Sequence, residues 1–321
     1  MDKTSRMFCG LDIGGTKILG LAVSSDDPVT PVATRRTATI NDGDGLIVSM
    51  IEVITSLEAD CGTSFSAVGV GIAGLVESTG MLRYSPNIDA VIDLDVRRRL
   101  RAELRCPVVV DNEATAAAWA ESQYGAARGS RYVALVALGT GVGTGFVFDG
   151  RLYRGWNGFA GESGHMTVEM SGPEHVTGAN GPWEYYASGR GLGRLARQAA
   201  QRGDFDAAVE AAGSVQDIRG EHVHALVAAG EPDALAVLDD FCYHTALGVA
   251  NLVHVLDPEM VVLAGGLVDI GEPLVRGVET WTHRLVLGGE QRRPVQVVLA
   301  QLGSNASAVG AALLAAANQV P

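Results

Sequence analysis

Two glycine-rich segments and three polar clusters hold the residues whose types and spacing suit chemistry. Asp12-Ile13-Gly14-Gly15-Thr16-Lys17 lies between two apolar runs. Glycines in a tight hairpin let backbone N–H groups approach an anion closely. Thr16 adds a hydroxyl, Lys17 a charge, and Asp12 a carboxylate able to hold hydrated Mg²⁺. Gly139-Thr140-Gly141-Val142-Gly143-Thr144-Gly145 is a second loop of this kind and also reads as a phosphate cradle. A plain hairpin turn is the alternative for each. Neither is a Walker A loop, because the GxxxxGK[ST] spacing is missing and a strand, not a helix, follows.

The polar clusters suit a hydroxylated ligand. Asp111-Asn112-Glu113 stands where a strand gives way to a helix, the place where α/β folds bind ligands. Helix capping alone would also explain Asp and Asn there. Gly161-Glu162-Ser163-Gly164-His165 sets Glu162 and His165 in a loop, and Glu184 opens a helix after Pro182-Trp183. A first-turn Glu can simply compensate the helix dipole. Together they offer donors and acceptors with little aliphatic lining, as a sugar requires. Gly69-Val70-Gly71-Ile72-Ala73-Gly74 matches GxGxxG, but a turn follows it. The dinucleotide fingerprint needs a helix there, so this reads as a buried strand whose last glycines admit a ligand.

These residues need strands and helices to place them. Apolar runs flank DIGGTK, and strands are expected near 66–72, 107–110, 131–138, 144–148, 260–264 and 295–300. Helical spacing appears over 45–59 and 94–104, after Asp111-Asn112-Glu113 to about Tyr124, and over 183–201, 233–256 and 306–318. Strands alternate with helices, so the class is α/β.

Composition narrows the function further. The 321 residues are 47% hydrophobic and 19% charged, enough for a large core and too apolar for wholesale disorder. A length of this order predicts about two domains. The net charge of −13 argues against nucleic acid as a partner. No apolar run is long enough for a membrane helix, and the start lacks a secretory h-region, so the expectation is a cytoplasmic protein with no membrane partner. Cys9, Cys61, Cys106 and Cys242 are scattered and read as reduced thiols or core fillers.

The order of these pieces resembles the ROK family of sugar kinases and their bacterial glucokinases. The likeness rests on DIGGTK at 12–17, GIAGLV at 71–76, SPN at 85–87, DNEATAAAWAE at 111–121 and LGTGVGTGFV at 138–147. It continues with GESGH at 161–165, WEYYASG at 183–189, LDPEMVVLAGG at 256–266 and the small-residue helix at 306–316. The resemblance implies an actin/hexokinase-like fold of two α/β domains closing on a cleft. Residues 1–113 with 305–321 would form the small domain and 114–304 the large one. It implies ATP phosphates at Gly14, Gly15, Thr16, Lys17, Gly139, Thr140 and Gly141, Mg²⁺ at Asp12 through water, and adenosine near Gly265 and Gly266. Sugar hydroxyls would meet Gly74, Asn87, Asn112, Glu113, Glu162, His165 and Glu184. Glu113 would take the proton as the γ-phosphoryl group passes to the 6-hydroxyl of glucose, in a homodimer or dimer of dimers. Another hexose, or a catalytically weak sugar sensor, is the alternative. A DNA-binding role is not expected, since only 11 residues precede Asp12.

Two departures stand out. The family's usual Asn-Asp pair is Asn112-Glu113 here. A displacement of about 1 Å at a reacting group costs on the order of 10²-fold, and Asp111 is an alternative base. Many members also bind zinc through the GESGH histidine and three cysteines. Here those cysteine positions hold His175, Thr177 and Pro182. Without thiolates the usual closed tetrahedral site cannot form, so no zinc is expected. The frame Gly178, Gly181, Trp183 and Glu184 survives.

Overall fold

The apolar runs beside the first glycine turn pair as an antiparallel hairpin, Met7–Ile13 with Lys17–Ser24. The computed structural model describes residues 5–175 and 177–317. Ala33–Ala38 extends the hairpin on one side, and the parallel strands Ala67–Ile72 and Val108–Asn112 extend it on the other. Helices cover both faces, which is why the strands read as near-continuous apolar runs. Gly43–Cys61 packs one face through Leu46, Met50, Ile54 and Leu57. Asp42 caps it by accepting the Gly45 N–H at 2.7 Å.

The opposite face carries Ala306–Ala317, which also packs on Glu113–Tyr124. The approach is too close for ordinary side chains. A Cβ at Gly10 would lie 1.9 Å from the Ala308 carbonyl oxygen, and one at Gly69 would lie 1.8 Å from that of Ala311. Small residues on the helix and glycine on the strands are thus one feature read twice.

A second sheet orders Val142–Phe148, Val133–Leu138, Met260–Ala264 and Gln296–Leu299. The last three are parallel, with Val133, Met260 and Gln296 in register. Glu272–Leu285 packs on the long helix Pro232–Leu256. The chain forms two compact units. Residues up to 129, 145–161 and from 301 onward make the first, and residues 130–144 and 162–300 the second. The sequence reading expects crossings at 113/114 and 304/305. Glu113–Tyr124 stays with the first unit because it packs on Ala306–Ala317, where a Cβ at Gly310 would lie 1.8 Å from the Ala116 oxygen.

Two elements differ from their expected form. The helix expected over 183–201 breaks at Ser188, giving Trp183–Ala187 and Gly189–Arg202. Ser188 is extended, and its Oγ accepts the Gly191 N–H at 3.2 Å, so it caps the second piece. The strand expected from Thr144 starts at Val142. Gly143 and Gly145 therefore belong to the strand, and the second loop narrows to Gly139–Gly141.

Cys9 and Cys242 are buried, Cys61 and Cys106 partly so, and all four are free thiols. Burial pushes the Cys242 thiol up to about 12, so it is not a nucleophile at neutral pH. Among the described residues no helix is long and apolar enough to cross a membrane.

Candidate active site

Strand register gathers the polar residues of the first unit. Asp12 pairs with Gly71, and Gly71 with Asp111. Ile13, Ile72 and Asn112 form the next row. These are the carboxyl ends of parallel strands, where ligands bind in such sheets. Asp12 Oδ1 accepts from Ser307 Oγ at 2.8 Å. Burial raises the Asp12 carboxyl pKa, against the pull of Ser307 and Lys17. In the turn, the Gly14 N–H donates to Lys17 O at 3.0 Å, and Thr39 Oγ1 donates to Gly14 O at 2.7 Å. The Gly14 amide therefore closes the turn, which leaves Gly15 and Thr16 at its tip. Gly15 backs onto exposed Asn87, where a Cβ would lie 2.8 Å from the Asn87 Cβ.

The segment after the third of these strands divides its labour. Asn112 Oδ1 accepts from Ala114 N–H at 2.8 Å and Thr115 N–H at 3.1 Å, so Asn112 does cap the helix. Its Nδ2 donates to Gly74 O at 3.2 Å and keeps one N–H for another acceptor. Gly74 sits at φ 128°, with Tyr84 and Ser85 packed against it. Asp111 is buried. Its Oδ2 accepts from Arg154 Nε at 2.7 Å and its Oδ1 from the Asn112 N–H at 3.0 Å. Burial raises its pKa, and the Arg154 guanidinium opposes that shift. With its oxygens so engaged, Asp111 is a poor proton acceptor for a substrate. Half-buried Glu113 follows Asn112, with its Cα 3.3 Å from where a Cβ on Gly71 would stand.

In the second unit the site residues hold one another. Gly139 N–H donates to Gly141 O at 3.0 Å, and Gly189 N–H donates to Gly139 O at 2.8 Å. A Cβ at Gly141 would lie 2.5 Å from Glu184 Oε2, so this turn rests on the Glu184 carboxylate. His165 Nδ1 lies 3.7 Å from Glu184 Oε1, and His165 Nε2 lies 3.5 Å from Glu162 Oε2. Glu162 raises the His165 pKa; partial burial opposes this and Glu184 adds to it. His175 Nε2 stands 3.4 Å from the same Glu184 Oε1, and the two imidazole rings are 4.8 Å apart. His165, His175 and Glu184 thus present three atoms able to ligate a metal within 4.8 Å of one another. A pocket of about 720 Å³ opens beside the loop, lined by Gly139, Thr140, Arg190, Arg194, Arg219 and Gly266. Gly265, at φ 87°, sits against the Leu138 oxygen.

Residues 8–318 match the ROK family. The chain belongs to the ROK family. It is 34% identical over 310 residues to a glucokinase of Streptomyces coelicolor, covering 95% of this chain and 96% of that one. A glucokinase of Thermotoga maritima is 31% identical over 266 residues, 83% of each chain. Among solved structures, a ROK family glucokinase from Streptomyces griseus in complex with glucose and AMPPNP superposes with a TM-score of 0.87 at 33% identity. That match covers 97% of this chain and 99% of the other. The fold is the actin/hexokinase-like α/β fold of the ROK sugar kinases.

Four residues that the sequence reading did not place among the site residues contact them: Thr39, Arg154 and Ser307 in the first unit and His175 in the second. Arg154 and Ser307 partner carboxylates 43 and 295 residues away. No local pattern announces such partners. His175 did carry a signal, since it stands where a cysteine was expected.

Proposed function

We propose that this chain, an ATP-dependent sugar kinase of the ROK family, transfers the γ-phosphoryl group of ATP to the 6-hydroxyl of glucose. One observation carries the reading: Glu184 lies against Gly141 with His165 beside it. A glycine turn fit for phosphate and side chains fit for hydroxyls share one locus, as a reaction joining a sugar to a phosphoryl donor demands. The glucokinase names of the relatives and the glucose and AMPPNP bound to the Streptomyces griseus enzyme support the same substrates.

In this reading the tip of the Gly14–Lys17 turn and Gly139–Gly141 receive phosphate oxygens, and the pocket beside Gly266 takes adenosine. Glu162, His165 and Glu184 fix sugar hydroxyls, as do Asn112, Asn87 and the Gly74 backbone. Glu113 accepts the 6-hydroxyl proton as that oxygen bonds to the γ-phosphorus and ADP leaves, a role worth about 10²–10⁴-fold. Asp12 fits a Mg²⁺ that keeps most of its waters, because one oxygen-donor carboxylate at a strand end is enough for such an ion. When bound, Mg²⁺ neutralises charge on the phosphates. ADP release, measured with a panel of hexoses and with ATP or polyphosphate as donor, tests the reading. Glucose with ATP is expected to be fastest. No turnover of any hexose would sink it, and a faster hexose would reassign the substrate.

A further inference from the structure

We propose that His175 is a positioning residue that orients the Glu184 carboxylate and so sets selectivity for the sugar hydroxyl that Glu184 meets. This rests on the sugar-kinase reading, in which Glu184 meets sugar hydroxyls; the resemblance to the ROK kinases implies those around the anomeric carbon and C2. The His175 side chain is only 11% exposed. Its Nδ1 lies 3.1 Å from Thr177 Oγ1, and the Thr177 backbone N–H donates to Nδ1 at 3.4 Å. A backbone N–H can only donate, so Nδ1 presents its lone pair and the neutral ring keeps its proton on Nε2. Nε2, on the other side of the ring, stands 3.4 Å from Glu184 Oε1. The backbone there is pinned: His175 N–H donates to Ala179 O at 2.8 Å and Gly178 N–H to His175 O at 2.9 Å.

Glu184 needs such help. It lies in the first turn of a five-residue helix, too short to fix a long side chain. Its Oε2 is turned to Gly141, while its Oε1 stands between His175 and His165. With both oxygens placed, the carboxylate needs little further ordering when a hydroxyl arrives.

The test compares His175→Leu, which keeps bulk without a donor, with His175→Gln, whose amide N–H can reach the same oxygen. Glucose and 2-deoxyglucose are assayed for turnover and, by calorimetry, for binding. His175→Leu is expected to raise KM for glucose about 10-fold with kcat within about twofold, and to narrow the gap between the two sugars. His175→Gln should keep both within about threefold of the parent. A residue that only packs would lower Tm and leave the ratio of the two sugars unchanged. That outcome overturns the proposal, as does equal loss in both variants. Should His175→Leu fail to fold, Thr177→Val loosens the ring in place and must move the same ratio for the proposal to stand. Elemental analysis of the parent should find well under one zinc per chain. Stoichiometric zinc lost in both His175 variants would make His175 a metal ligand instead. Glucose binding without turnover in the parent would overturn the kinase reading alone, and binding would still decide the role of His175.

Discussion

The two units hold their candidate residues in opposite ways. In the first, the backbone does the holding: Asp12, Gly71 and Asp111 lie side by side by strand register, and Asn112 is fixed as a helix cap. Helix Ala306–Ala317, pressed onto the glycines of the strands, leaves that register no room to slip. In the second, side chains hold side chains. Glu162, His165, Glu184 and His175 sit on a single 3₁₀ turn, a five-residue helix and a tight loop, and they contact one another in series. Damage to the first arrangement should therefore appear as lost chemistry or lost folding. Damage to the second should appear as lost selectivity in a protein that still folds.

The sharpest break of this contrast is at Glu113. Glu113→Gln should lower kcat by about 10²–10⁴-fold with sugar affinity nearly unchanged. Asp111→Asn should leave kcat much closer to the parent and instead cost about 2 kcal/mol of stability, through the weakened contact to Arg154. Steady-state kinetics and denaturant melts on both variants read this directly, and the reverse ranking would move the base to Asp111.

Packing comes next. Gly69→Ala would set a methyl group 1.8 Å from the Ala311 oxygen. The helix must shift, at a cost of about 1–3 kcal/mol or more. An unchanged urea midpoint would mean that the first unit is looser than its register implies.

Glu184→Ala should reduce kcat/KM for glucose by on the order of 10-fold while Tm stays near the parent value, because only side-chain contacts are lost. A lower Tm with intact kinetics would reduce Glu184 to dipole compensation at its helix terminus. The smallest effect concerns pH. Glu162 holds the His165 pKa above its ordinary value. The protonated ring is thus the form that folding favours. Its contribution is complete below the unfolded pKa, about 6.5, and fades as pH rises through the higher folded pKa. The Tm difference between the parent and His165→Gln should shrink over that interval, and a flat difference would dissolve the Glu162–His165 pair.

Much of this was legible because it is local. DIGGTK between apolar runs, the Asp111-Asn112-Glu113 junction and the two-glycine stop at Gly265-Gly266 each announce a strand end with its turn, and register carries the first two to one edge of the first sheet. The break at Ser188 was less visible, since Trp183–Gln201 keeps helical spacing on both sides of a serine that caps only once the chain has turned there. Helices Asp206–Ala212 and Gly220–Ala228 are too short to show a clear period. The roles of Arg154, Ser307 and His175 depend on contacts made through folding, and residue type alone does not reveal them.

The threading of the chain also has a consequence for its synthesis. Helix Ala306–Ala317 supplies a face of the first unit's core, yet it emerges from the ribosome after every residue of the second unit. The residues of the second unit are all made before that helix is. The first, though begun by the earliest strands, must wait with Gly10 and Gly69 uncovered until the last described helix arrives. Vectorial production thus completes the sequence of the second core before that of the first, and for that interval an apolar sheet face is open to chaperones and to neighbouring nascent chains.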